Sequence, residues 1–175
     1  NYDKAYASYL KALAIAKKLN KSSSIAVIQK QIGDMFLDKM DFDRAINYVL
    51  DALKYFEEVN NLPEAANSYE TLARAFCFKE RYKESESYYL KALDIYKSMN
   101  FDIRIMACLS ALADLYSKTE QYDLALEYEK KSLTISKSSQ IELHEGLSYK
   151  NIGNIYLLKG DLANSINMLN ESIEI

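Results

Sequence analysis

The sequence predicts an all-α fold of stacked antiparallel helix pairs, and three observations carry that expectation. A pattern of apolar, small and aromatic residues recurs every 40 residues without an insertion. Only one proline and four glycines interrupt 175 residues, so most of the chain can be helical. Within each unit the apolar positions fall three and four apart, the spacing of one helix face.

The columns of the repeat hold their size class. Leu13, Leu53, Leu93, Leu133 and Ile173 form one apolar column. Ala5, Ala45, Ser85, Ala125 and Ser165 form a small one, as do Ala12, Ala52, Ala92, Ser132 and Ser172. In the other half of the unit run Ile32, Leu72, Leu112 and Ile152, then Gly33, Ala73, Ala113 and Gly153, then Phe36, Phe76, Tyr116 and Tyr156. Each unit therefore reads as a helix A carrying Ile32 and Phe36, and a helix B running from Phe42 through Ala45, Val49, Ala52 and Leu53. Met40-Asp41 and Lys159-Gly160-Asp161 mark the turn inside a unit, and Asn60-Asn61 and Ser138-Ser139-Gln140 the turn between units. Asn61, Pro63 and Glu64 spell a helix start. The small columns let helix A approach helix B closely, and this offsets the cost of a mid-helix glycine, about 1 kcal/mol relative to alanine.

Taken this way, the chain is one helical-repeat domain over 1–175. Residues 1–20 are helix B of a truncated repeat, 21–60, 61–100 and 101–140 are full repeats, and 141–175 is a repeat truncated in helix B. No polar capping helix is visible at either end, so the sequence reads as a fragment of a longer protein with apolar faces that invite end-to-end association.

Composition narrows the function. With 49% apolar residues the chain is not a disordered tail. A net charge of −3 with interspersed signs lacks the basic footprint that direct nucleic-acid binding needs. No stretch approaches the apolar length of a membrane span. Cys77 and Cys108 make no disulfide framework and read as core thiols suited to a reducing compartment. The expected location is cytoplasmic, with a periplasmic sensor portion as the alternative.

Catalysis finds little support. The one histidine, His144, precedes Glu145, but Ser148 stands where a zinc-protease motif has its second histidine. The glycines are scattered and there is no Cys-x-x-Cys. The reading is that the chain is not an enzyme and carries no cofactor or metal.

These columns resemble the tetratricopeptide repeat family along the whole chain. The family's apolar-small pair, followed by an aromatic, appears as Ile32-Gly33 with Phe36 and as Ile152-Gly153 with Tyr156. Its aromatic opening of helix B matches Phe42, Tyr82 and Tyr122, with Leu162 in the fourth copy. Three features depart from the family. The early helix A aromatic is irregular (Gln29, Tyr69, Leu109, Tyr149), and Glu57, Lys97 and Lys137 replace the proline near the end of helix B. The repeat also exceeds the usual length of about 34 residues. Without that proline helix B can continue, and the six extra residues add roughly 9 Å of helix per unit. Long-repeat relatives include peptide-sensing bacterial regulators, kinesin light chains and sensor portions of histidine kinases.

The resemblance implies a right-handed α-solenoid whose helices A line a concave face. It also implies a scaffold that binds a protein or peptide there. In this register the groove carries Lys30, Glu70, Ser110 and Lys150 in one row and Asp34, Arg74, Asp114 and Asn154 in the next. A third row holds Leu37, Cys77, Ser117 and Leu157. The mixed signs imply a ligand that is neither strongly acidic nor strongly basic. The alternative is that these charges pair with one another and only wet the groove. Two other roles stay open: a sensory module of a larger bacterial signalling protein, and a self-association module. Lys150 and Asn154 match half of a carboxylate clamp known in the family, but Asp34, Ala107 and Ala111 break that pattern in the earlier copies.

Overall fold

A computed structural model describes residues 2–175. Among the described residues there are nine α-helices and no strands: α1 (Tyr2–Lys18), α2 (Ser22–Asp38), α3 (Phe42–Glu58), α4 (Leu62–Phe78), α5 (Tyr82–Ser98), α6 (Asp102–Lys118), α7 (Tyr122–Ser138), α8 (Glu142–Lys159) and α9 (Leu162–Glu174). The fold is all-α and repeating, as the 40-residue period predicts. The helices group into two compact units, the first ending at Ile95 and the second beginning at Tyr96, so the boundary falls inside α5.

The seven helices from α1 to α7 are each 17 residues long. Three-residue links join α1 through α8, and the middle residue of each link is left-handed. Asn20, Met40, Asn60, Glu80, Asn100, Glu120 and Gln140 have φ between 52° and 61°, and Gly160 closes α8 at 84°. This conformation turns the chain back to satisfy the last carbonyls. The Asp41 N–H donates to Phe36 O (2.8 Å) and the Met40 N–H to Leu37 O (2.9 Å), the pair of bonds that terminates a helix with a left-handed residue. Starts are fixed as well. Asn61 accepts from the Glu64 N–H with Pro63 in the first turn, as its sequence signal predicts, and Asp41 and Asp161 cap α3 and α9.

In the first unit α2 packs on α1 and α3, and α3 packs on α4. Ile32, Leu72, Ala45 and Ala52 are fully enclosed. A Cβ on Gly33 would fall 3.2 Å from Ala45 O, so the glycine permits the close approach of α2 and α3. Phe36 lies between Tyr6 (5.1 Å) and Tyr48 (5.8 Å), with the Arg44 guanidinium 4.1 Å from its ring centre. Phe76 stacks on Tyr88 at 5.4 Å. The periodic tyrosines of helix B thus support the aromatic column of helix A.

The second unit repeats the scheme, with α6 on α7, α7 on α8 and α8 on α9. Leu112 and Ile152 are enclosed, and Tyr116 meets Tyr128 at 5.2 Å. Gly153 permits α8 to close on α9, since a Cβ there would fall 2.8 Å from Leu169 Cγ. Ion pairs between helices recur at the repeat period: Lys79 with Asp43 in the first unit, Lys159 with Asp123 in the second.

Candidate functional site

Helices α2, α4, α6 and α8 carry the rows that the register assigns to ligand binding. In the first unit, Lys30 Nζ donates to both oxygens of Asp34, at 2.9 and 2.7 Å. Thr71 of α4 donates to the same carboxylate at 3.0 Å. Asp34 is therefore held from its own helix and from the next helix A, while lining a cavity of about 400 Å³ with Tyr2, Tyr9, Gln31 and Asp38. Glu70 is half-buried and Arg74 exposed. Leu37 is only 4% exposed, so the third row begins inside the core, against the expectation that it faces the groove.

In the second unit the proposed residues divide between two cavities. Ser110, Asp114 and Asn154 line one of about 300 Å³, together with Glu129 and Asn151. Lys150 lines another of about 360 Å³, whose walls include Leu143, Leu147 and Ile175. Lys150 and Asn154, four residues apart on one helix, thus serve different cavities. Asp114 is paired with Lys118, one turn along α6.

The cavity holding Ser110 and Asn154 contains a residue that the periodic pattern does not assign to ligand binding. Glu129 on α7 is 1% exposed. Ser110 Oγ of α6 (3.0 Å) and Asn151 Nδ2 of α8 (3.2 Å) both donate to its Oε1. Its Oε2 is buried and makes no hydrogen bond of ordinary geometry, although the Ser148 hydroxyl also bonds weakly to the carboxyl. Burial pushes this carboxyl above the usual range, and the hydrogen bonds from Asn151, Ser110 and Ser148 oppose that shift. Nearby, Ser148 donates to Ser132 (3.3 Å) and Ser132 to Met106 O (3.5 Å). A signal for Glu129 was present in the sequence. Its repeat column reads Tyr9, Val49, Tyr89, Glu129 and Leu169, one charge among apolar and aromatic residues.

The features weighed for catalysis are dispersed. His144 is half-buried in the first turn of α8, Ser148 is buried, Cys77 is half-buried and Cys108 is buried. Among the described residues no group of three or more His, Cys, Asp or Glu could hold a metal ion, and no helix is long and apolar enough to cross a membrane.

The tetratricopeptide repeat profile matches residues 24–98, 64–138 and 104–175, which together span most of the chain. The chain belongs to the tetratricopeptide repeat family. Repeats of this family generally mediate protein–protein interaction and typically form binding scaffolds. Solved structures share the fold. BtubC (BKLC) from P. vanneervenii superposes with a TM-score of 0.88 at 21% identity, over 99% of this chain and 72% of that one. The STAND signal-transduction ATPase with a tetratricopeptide repeat sensor from Pyrococcus horikoshii gives 0.83 at 22% identity, over 98% of this chain and 27% of that one. A Rap protein complexed with Competence and Sporulation Factor gives 0.76 at 12% identity, over 99% of this chain and 50% of that one. The tetratricopeptide repeat chain thus spans about a quarter of the ATPase and half of the Rap protein. No curated protein matches it in sequence.

Proposed function

We propose that this tetratricopeptide repeat chain is a non-catalytic scaffold that binds a protein or peptide on the face carried by its helices A. The observation that supports this reading is a contrast between neighbouring columns. Ile32, Leu72, Leu112 and Ile152 keep one chemistry, as packing demands. Two residues away, the accessible column varies through Lys30, Glu70, Ser110 and Lys150, and a second varies through Asp34, Arg74, Asp114 and Asn154. The exposed Asp114–Lys118 pair contributes only about 0–1 kcal/mol, so stability gives little reason for the variety outside the half-buried Lys30–Asp34 pair. The mixed signs suit a ligand that is neither strongly acidic nor strongly basic.

A sensory role within a larger bacterial signalling protein is the second reading. It draws on the likeness to an ATPase described as carrying a repeat sensor and to a Rap protein solved with a bound factor. In either role the two thiols suit a cytoplasmic setting.

The test is affinity capture from the source cell with the wild-type chain and with Glu70→Lys/Arg74→Glu. A partner held by wild type and lost by the folded double variant is the expected result. A partner retained by both would place binding away from this face and overturn the reading.

A further inference from the structure

The cavity of the second unit combines features that together specify one kind of guest. Its acidic group is internal. Glu129 Oε1 receives bonds from Ser110 and Asn151, whereas Oε2 is buried with no bond of ordinary geometry and only the weak reach of the Ser148 hydroxyl. An unsatisfied buried carboxylate oxygen carries a desolvation cost that a cationic donor would remove. Around it stand further acceptors, the Ser110 hydroxyl and the Asn154 side chain. Ala113, Ile155 and Leu158 give the wall an apolar stretch. Asp114 adds a second carboxylate, which Lys118 holds.

We infer that this cavity receives the primary ammonium group of a lysine side chain from the bound protein or peptide, with the Glu129 carboxyl in its wall as the counter-charge. The inference deepens the scaffold reading and rests on it. An ammonium brings three donors in a compact tetrahedral head, which suits a small set of acceptors around one carboxylate. Its methylene stem suits the apolar stretch, as lysine stems commonly lie along apolar surface. The other repeats place no charge at the Glu129 position. Its repeat equivalents Val49 and Leu169 fill the matching space against Gly33 and Gly153.

The test titrates the isotopically labelled 175-residue chain with Nα-acetyl-lysine methylamide and follows backbone amide resonances. Nα-acetyl-norleucine methylamide keeps the apolar stem and lacks the ammonium, and pentylamine separates a free amine from a lysine residue. The expected result is saturable movement of the Ser110, Asn151 and Asn154 resonances with the lysine probe. Norleucine should bind about tenfold more weakly or worse, with a similar loss in Glu129→Gln. Ser110→Ala, which leaves the carboxyl in place, should weaken binding by a smaller factor. Equal response to lysine and norleucine, undiminished binding by Glu129→Gln, or response to pentylamine alone would each overturn the inference. Glu70 and Arg74 lie in the first unit, so the two readings can fail separately. A captured partner that depends on Glu70 and Arg74 but is kept by Glu129→Gln would leave the scaffold standing and remove the lysine site. A lysine response together with a partner retained by Glu70→Lys/Arg74→Glu would remove the Glu70 and Arg74 face and keep the lysine site.

Discussion

A Cβ placed on Gly33 would lie 2.3 Å from Val49 Cγ2, closer than any relaxed contact allows. The backbone oxygen of Ala45 stands 3.2 Å from the same point, so a shift of Val49 alone does not make room. Gly33→Ala is expected to lower stability by about 1–3 kcal/mol through overpacking, although alanine favours the helix. Chemical denaturation measures this. Gly33→Ala/Val49→Ala should relieve the clash with the valine methyl, so the pair should be non-additive. Simple additivity would show that α2 and α3 do not meet here. Gly153→Leu is expected to be worse, because Leu169 and the Ser165 backbone block the larger side chain.

Gly160 fails differently when changed. Nothing lies within 4 Å of a Cβ built there, yet its φ is 84°. Gly160→Ala should cost about 1 kcal/mol through backbone strain alone. The reverse holds at Met40, whose φ is 61°. Met40→Gly should raise stability by about 1 kcal/mol or less, and thermal unfolding of the two variants checks both signs. A stabilised Gly160→Ala would contradict the left-handed cap.

Glu129 makes stability depend on pH in a defined direction. Its carboxyl is pushed above the ordinary value of 4.5 by burial. A raised carboxyl pKa means that folding favours the neutral acid. The contribution of this group is therefore greatest below about 4.5 and is lost as pH rises through the raised value. Among the described residues lining its cavity, Asp114 is the other ionisable side chain, and Lys118 pairs with it. Glu129→Gln should melt at a higher temperature than wild type at pH 8, and the gap should close toward pH 4.5. A gap that widens as the solution is acidified would reverse the assignment.

Two phenols should titrate late. Tyr48 is raised to about 12, first by its hydrogen bond to Tyr6 (3.0 Å between the oxygens). Tyr69 is raised to about 12 by burial and then by its hydrogen bond to Glu57. Both favour the neutral form, so their contribution to stability holds below pH 10 and is lost as pH rises through about 12. Ultraviolet titration should show tyrosines that remain protonated after the rest have ionised. Tyr6→Phe should move Tyr48 earlier and leave Tyr69 unchanged. A single transition near 10 for all tyrosines would refute both assignments.

The sequence by itself determined the helices, their pairing rhythm and the family. Those follow from local rules repeated many times, so chance errors in one copy do not obscure the period. Ile32-Gly33, Ile152-Gly153 and Asn61-Leu62-Pro63-Glu64 state their roles in a few adjacent residues. The left-handed links were only partly legible, because Met40, Glu80 and Glu120 carry no intrinsic preference for positive φ. Tertiary structure decided what lies open. Leu37 and Leu157 occupy the same repeat position, yet one is buried and the other exposed. Lys150 and Asn154 separate into different cavities. Glu129, Ser110 and Asn151 meet although about 20 residues separate each partner from the glutamate in sequence. Periodicity assigns a residue to a helix face, but the burial of a side chain and its partners depend on which neighbours three packed helices bring within hydrogen-bonding reach.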